Sequence, residues 1–343
     1  MTEPNEGGVY QGLASSPDEA EAALRPPNFE QFVGQEQVVQ NLRTWIDAAN
    51  QRKGALDHVL LSGPPGLGKT TLAHLIAGAL DANLKVTSGP ALERPGDLVG
   101  LLTGLERHEV LFIDEIHRLP RTVEEYLYTA MEDLAIDVVI DQGPAARSVR
   151  LSVAPFTLIG ATTREGLLTQ PLRNRFGITE KLSAYQVAEI RTIVVQSADR
   201  LGCELAPEAA DAMAGRARGV PRVANRLLRR LRDVAEVAGT GTIDLRAVDR
   251  GLAMLGIDAQ GLEDMDRRLL EFLARQGGGP VGVSTLAAAV GEEPETIELV
   301  YEPHLLRLGF VLRTPRGRML TEAGREHLDL PPADPTLFDE SRA

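Results

Sequence analysis

The chain has 343 residues, 43% of them hydrophobic, and a net charge of −13. It is long enough for two or three domains and too apolar for a disordered chain; no apolar run approaches the ~20 residues of a membrane helix, and the acidic, polar N-terminus is no signal peptide. The charge argues against a surface that coats nucleic acid indiscriminately, while the single Cys203 and the lack of any Cys/His cluster with metal-ligand spacing point to the cytoplasm.

Residues 1–20 are polar and read as a mobile leader. An apolar strand at 58–62 runs into Gly-Pro-Pro-Gly-Leu-Gly-Lys-Thr-Thr at 63–71, and a helical pattern follows over 71–80. This is G-x-x-x-x-G-K-[ST] in its proper strand–loop–helix setting. Its glycines, Gly66 among them, let backbone N–H groups close on phosphate oxygens, and the helix adds its positive end. Lys69 can reach the β- and γ-phosphates of ATP, and the Thr70 hydroxyl can ligate Mg2+.

Further strands are expected at 84–88, 110–114 and 156–161, separated by helices, which is the pattern of a parallel sheet covered on both faces. At the end of the third strand, Asp114 would hold magnesium through water and Glu115 would polarise the attacking water. Between the strands at 110–114 and 156–161 the rhythm breaks: Ile136, Val138 and Ile140 alternate, Gln142-Gly-Pro-Ala makes a turn, and Val149, Leu151 and Val153 alternate again. This is a β-hairpin, readable either as a sheet edge or as a protrusion whose apolar face docks a partner. After the 156–161 strand comes Gly160-Ala-Thr-Thr-Arg, where Thr162 or Thr163 could sense the γ-phosphate, and then Pro171-Leu-Arg-Asn-Arg-Phe-Gly. An arginine delivered in trans is worth a factor of roughly 10³–10⁵ in phosphoryl transfer.

The first unit is thus 1–185. A second, 186–256, reads as wholly helical, with turns near Gly202, Gly219 and Gly239. In the third, 257–343, helical runs at 265–275, 285–290 and 295–308 precede strands at 310–314 and 318–321 around Pro315-Arg-Gly, the pattern of a winged helix with a loose Pro/Asp-rich tail after Leu330.

Taken together, the P-loop, Leu111-Phe-Ile-Asp-Glu-Ile-His-Arg-Leu, Gly160-Ala-Thr-Thr-Arg, Pro171-Leu-Arg-Asn-Arg-Phe-Gly-Ile, Asn225-Arg-Leu-Leu-Arg-Arg and Arg313-Thr-Pro-Arg-Gly-Arg resemble the RuvB family, the AAA+ motors of bacterial Holliday-junction branch migration. The match runs from about Leu24 to about Thr321. The resemblance implies an α/β AAA+ domain, a small helical lid and a winged-helix head. It implies that Leu24 and Arg25 lie by the adenosine and that Gly66, Lys69, Thr70 and Thr71 bind the phosphates. Glu132, Asp133 and Leu134 would approach the nucleotide, Arg175 would reach a neighbouring subunit's site, and Tyr185 and Arg222 would contact the nucleotide and report its state. Arg313, Arg316 and Arg318 would contact DNA, and the hairpin with Ile140 and Leu151 would dock a RuvA-type protein. The implied partners are Holliday junctions and duplex DNA, a RuvA-type protein, a RuvC-type resolvase and further copies in a hexameric ring. Two departures stand out: Val220 where threonine is common, and Pro294 in a stretch that is more polar and basic in relatives.

Two other readings compete. A clamp loader or protein-remodelling machine has no need for an arginine-bearing wing. A winged-helix transcription regulator would read bases, whereas a lone basic turn mostly contacts phosphate.

Overall fold

The computed structural model describes residues 22–139, 148–277 and 279–331. Five strands, β1 Val59–Ser62, β2 Leu84–Ser88, β3 Val110–Asp114, β6 Thr157–Thr162 and β7 Ile178–Lys181, form a parallel sheet in the order β2-β3-β6-β1-β7. The central strands β1 and β6 are buried along their whole length and β3 up to its last residue, because helices cover both faces. One face packs Leu61, Ile159 and Phe112 under helices Glu36–Arg52 and Lys69–Ala79; the other packs Leu60, Leu158 and Ile113 under Pro95–Thr103 and Arg121–Asp133.

The strands expected at 84–88 and 110–114 match their observed bounds, and those at 58–62 and 156–161 lie within one residue of theirs. The edge strand β7 went unforeseen. It buries only Ile178 and Glu180, in alternation, so it carries no apolar run.

The hairpin exists as a separate two-stranded antiparallel sheet, β4 Ala135–Val139 with β5 Ser148–Ser152, and pairs Ile136 with Leu151 and Val138 with Val149. It is therefore no edge of the main sheet. Ile136 anchors it in the core, while Leu151 is half-buried and Val149 is exposed. Ile140, like the leader 1–20, lies outside the described residues.

The second unit is helical, through Val187–Arg200, Pro207–Arg216, Pro221–Val237 and Leu245–Leu255. It also holds one two-residue parallel pairing, β8 Glu204–Leu205 with β9 Thr242–Ile243, too short to leave a periodic signal and a correction to the wholly helical expectation. Its apolar residues, such as Val194 and Leu228, merge into one continuous core with that of the sheet's first face.

The third unit has its own core around Leu269, Leu286, Ile297 and Phe310. Helices Asp264–Arg275 and Val283–Val290 come first. The run expected over 295–308 divides into Pro294–Thr296, a π-turn Ile297–Tyr301 and Glu302–Arg307. Pro303 explains the break, because its missing N–H removes a bond from the helical ladder and the preceding turn widens. Strands β10 Val311–Thr314 and β11 Gly317–Leu320 then form the wing. Gly317 sits at φ 144, and a Cβ there would collide with the Val281 carbonyl to which the wing is pinned. Among the described residues no helix is long and apolar enough to cross a membrane.

Arg318 differs from expectation. It is 7% exposed, and its guanidinium grips Glu302 in bidentate fashion, with Nε to Oε1 and Nη2 to Oε2 both at 2.9 Å, and reaches Glu298 Oε1 at 2.8 Å. The hydrogen bonds to Glu302 raise the Arg318 pKa and keep its guanidinium charged. Arg318 is thus a keystone of the head domain and offers no open cation to DNA. Removing one member of a buried pair costs about 3–5 kcal/mol, which for a domain of this size corresponds to a fall in Tm of more than ~10 °C. Arg318→Ala should therefore lower the head-domain transition by that margin in calorimetry; an unchanged transition would refute the keystone role.

Candidate nucleotide site

The P-loop turns from β1 into helix Lys69–Ala79, and a cavity of about 660 Å³ opens over it. Ten of the residues expected to bind nucleotide or magnesium line this cleft: Leu24, Arg25, Gly66, Lys69, Thr70, Thr71, Asp114, Glu115, Tyr185 and Arg222. They come from the segment before the first helix, the loop, the end of β3 and the lid. No contiguous stretch of sequence joins them.

Lys69 is almost buried, and its ammonium donates to the carbonyls of Gly63 at 2.7 Å and Pro64 at 2.9 Å. Burial pulls its pKa down, while Asp114 and Glu115 pull it back up. Asp114 accepts from the Glu115 amide at 2.9 Å, and burial raises its pKa. The site thus holds one cation cradled by carbonyls and two carboxylates at the mouth of a strand.

Glu115 occupies the left-handed region at φ 47, which costs a non-glycine residue energy and turns its side chain off the strand. Its Oε2 accepts from the Thr163 hydroxyl at 3.0 Å and lies 3.2 Å from His117 Nδ1. Thr162 is fully buried, 2.9 Å from the same His117 nitrogen. Burial lowers the His117 pKa and so favours the neutral ring at neutral pH. Thr163 thus contacts the Glu115 carboxylate directly and Thr162 through His117, and neither lines the cleft.

The lid closes the other side. The Arg222 amide donates to the Gly66 carbonyl at 3.3 Å. Gly66 has φ 78, and a Cβ there would lie 2.8 Å from Val220 Cγ1 and 2.9 Å from Arg222 Cβ. Val220 thus packs against the phosphate loop. Tyr185 is buried; its hydroxyl donates to the Leu67 carbonyl at 3.1 Å and its amide to the Gly219 carbonyl at 2.9 Å. Sequence reasoning missed Phe32, Val33, Ile193, Gln196, Arg200 and Asn225, which complete the cleft. Arg200 ties the lid to the entry segment, donating to the Leu24 carbonyl at 3.2 Å and to Gln31 at 2.9 Å. No motif flags it, because its partners lie about 170 residues away.

Four expected residues fall elsewhere. Glu132, Asp133, Leu134 and Arg175 do not line the cleft of their own chain. Arg175 pairs with Glu132 at 3.0 Å and lies 4.7 Å over the Tyr128 ring, while Asp133 pairs with Arg150 at 3.4 Å. Within one chain this stretch lies apart from the cleft, where Glu132 pairs with Arg175. On the wing, Arg313 and Arg316 are exposed, and Arg313 lies 3.5 Å from Glu298.

Comparison with known proteins agrees with this architecture. The description "Holliday junction DNA helicase RuvB P-loop domain" matches residues 24–182, the RuvB AAA lid domain 185–258 and the RuvB C-terminal winged helix domain 259–329. The Holliday junction branch migration complex subunit RuvB of Myxococcus xanthus is 59% identical over 302 residues, 88% of each chain. That of Flavobacterium johnsoniae is 55% identical over 319 residues, 93% of this chain and 94% of its own. Among solved structures, the Thermotoga maritima RuvB Holliday junction branch migration motor superposes with a TM-score of 0.82 at 47% identity, over 90% of this chain and 99% of that one. Three consecutive domains, a lid-closed P-loop and relatives matched along almost their whole length therefore lead to one conclusion: this chain is a P-loop ATPase and belongs to the RuvB family.

Proposed function

We propose that this chain is a motor that hydrolyses ATP to pull duplex DNA and drives branch migration of Holliday junctions, working as a hexameric ring with a RuvA-type protein. The observation that carries this reading is one cleft in which Lys69, Thr70, Asp114, Glu115 and Arg222 converge, on a chain whose winged head exposes Arg313 and Arg316. The units 1–185, 186–256 and 257–343 act as motor, lid and head.

Lys69 exchanges the Gly63 and Pro64 carbonyls for β- and γ-phosphate oxygens, trading weak acceptors for charged ones. Thr70 and Asp114 present the hydroxyl and carboxylate that suit Mg2+, which when bound would neutralise charge on the transferring phosphoryl group. Glu115, held by Thr163, orients the attacking water and takes up its proton. The buried, neutral His117 keeps a second contact on that carboxylate. The phosphates draw Arg222 toward the loop, so the lid closes on ATP and relaxes after hydrolysis.

Arg175, held by Glu132 and Tyr128 away from its own cleft, serves the neighbouring copy. Arg175→Ala should bind ATP normally and lose turnover by roughly 10³-fold. Mixing it with Lys69→Ala should restore part of the turnover, because the Lys69→Ala copy offers an intact Arg175 to a competent pocket. Demonstrably mixed rings without recovery would rule out action in trans.

The function itself is tested by ATP turnover with and without duplex DNA, and by migration of a four-way junction with and without a RuvA-type partner, with Glu115→Gln as the hydrolysis-dead control. DNA of any sequence should stimulate turnover. Arg316→Ala should weaken binding equally across sequences and reduce the salt slope by about 0.9 for the one lost phosphate contact. Loss confined to one sequence, with an unchanged slope, would favour a transcription regulator. Turnover indifferent to DNA would favour a protein-remodelling machine.

A further inference from the structure

Glu298, in the π-turn of the head domain, shares its carboxylate between two domains. Oε1 lies 2.8 Å from Arg318 Nη2 and 3.5 Å from Arg313 Nη2 of the wing. Oε2 accepts from Arg164 Nη2 at 3.2 Å, and Arg164 Nε lies 3.6 Å from Glu295 as well. Arg164 belongs to the ATPase domain and directly follows the two threonines at the end of β6. Its amide donates to Thr162 Oγ1 at 3.0 Å; that oxygen is 2.9 Å from His117 Nδ1, and His117 is 3.2 Å from Glu115. Thr163, the other neighbour, donates to Glu115 itself at 3.0 Å. A continuous set of polar contacts therefore runs from an exposed wing arginine to the carboxylate assigned to the attacking water.

The two ends of this set differ in character. Arg318 is buried and locked by Glu302, so its hold on Glu298 does not change when a ligand arrives. Arg313 is exposed and makes the longer contact, so a DNA phosphate competes directly with Glu298 for it. When Arg313 leaves, the Glu298 carboxylate is less neutralised and attracts Arg164 more strongly. Arg164 and Glu298 are both about a quarter exposed, which keeps this attraction above that of a fully solvated pair.

Resting on the DNA-driven reading above, we propose that the Arg164–Glu298 bridge is the joint through which DNA on the wing sets the orientation of Glu115. Arg164 and Glu298 are positioning residues: neither lines the nucleotide cleft, and each acts through the Thr162–Thr163 peptide. Glu295, at the start of the helix that Pro294 opens, supports Arg164 from the head-domain side.

The test measures kcat and KM for ATP with and without duplex DNA, together with DNA affinity in a non-hydrolysable ATP analogue. The proteins compared are the full chain, Arg164→Ala, Arg164→Lys, Glu298→Gln and the Arg164→Ala/Glu298→Gln double variant. Glu298→Gln leaves the Arg318–Glu302 pair in place, so the experiment survives if Arg164→Ala does not fold. We expect basal kcat and KM within about twofold of the parent, DNA affinity within about twofold in Arg164→Ala and no lower than the parent's in Glu298→Gln, which frees Arg313, and a DNA-stimulated kcat reduced roughly three- to tenfold. Arg164→Lys should recover part of the loss, and the double variant should be no worse than the weaker single one. Full stimulation in both single variants, or losses that multiply in the double variant, would overturn the joint. A parent protein that DNA does not stimulate would instead overturn the motor reading and the joint with it.

Discussion

The rest of the structure depends on the space at Gly66. The phosphate loop and the lid occupy adjoining volumes there, with no room between them for a single methyl group: a Cβ would meet Val220 on one side and Arg222 on the other. Its left-handed backbone gives glycine the position on conformational grounds, and the absent side chain is what lets the lid rest on the loop. Because the Arg222 amide also bonds the Gly66 carbonyl, the shape of the loop and the position of the lid are one variable. A ligand that reshaped the loop would have to displace the lid.

The lid in turn carries the head domain. Within five residues, the segment 218–222 makes three kinds of contact. Arg222 and Val220 face the phosphate loop, and the Gly219 carbonyl accepts from Tyr185 at the hinge. Arg218 reaches the other way: buried, it donates to Asp266 at 2.6 Å and to the Gly261 carbonyl at 2.8 Å, while Arg307 of the head bonds the Arg218 carbonyl at 2.7 Å. Asp266 is fully buried, so separating this pair would strand a charge, which disfavours opening of the lid–head joint. Motion at the loop is thereby passed to the wing through a stiff element, and the Arg164–Glu298 bridge offers a second, softer contact directly between motor and head.

Much of the lining of the cleft was legible because its motifs are local. The P-loop spacing and the apolar run ending in Asp114-Glu115 each fit within a few residues, and each lies in its expected setting of strand, loop or helix. Domain order was legible from the change in hydrophobic period. What escaped is non-local. Arg318 reads as a basic wing residue until Glu302 and Glu298, one helix earlier, are seen to enclose it. Arg218 carries no local sign of its partner Asp266, which lies 48 residues further on. Strand β7 and the β8–β9 pairing are too short or too polar to show a period. The resemblance supplied Arg175 and Glu132 as a site, and within one chain they pair with each other outside the cleft, a relation no single sequence states.

The central claim is that nucleotide occupancy moves lid and head as one body against the motor domain. Paired spin labels in a Cys203→Ser background test it directly, with Leu167 and Val237 reporting motor to lid and Val237 and Val300 reporting lid to head; all three positions are exposed. The account predicts that the 167–237 distance distribution shifts between ADP and a non-hydrolysable ATP analogue, that the 237–300 distribution does not, and that Lys69→Ala abolishes the shift. An unchanged 167–237 distance, or a 237–300 distance that varies with nucleotide, would contradict it.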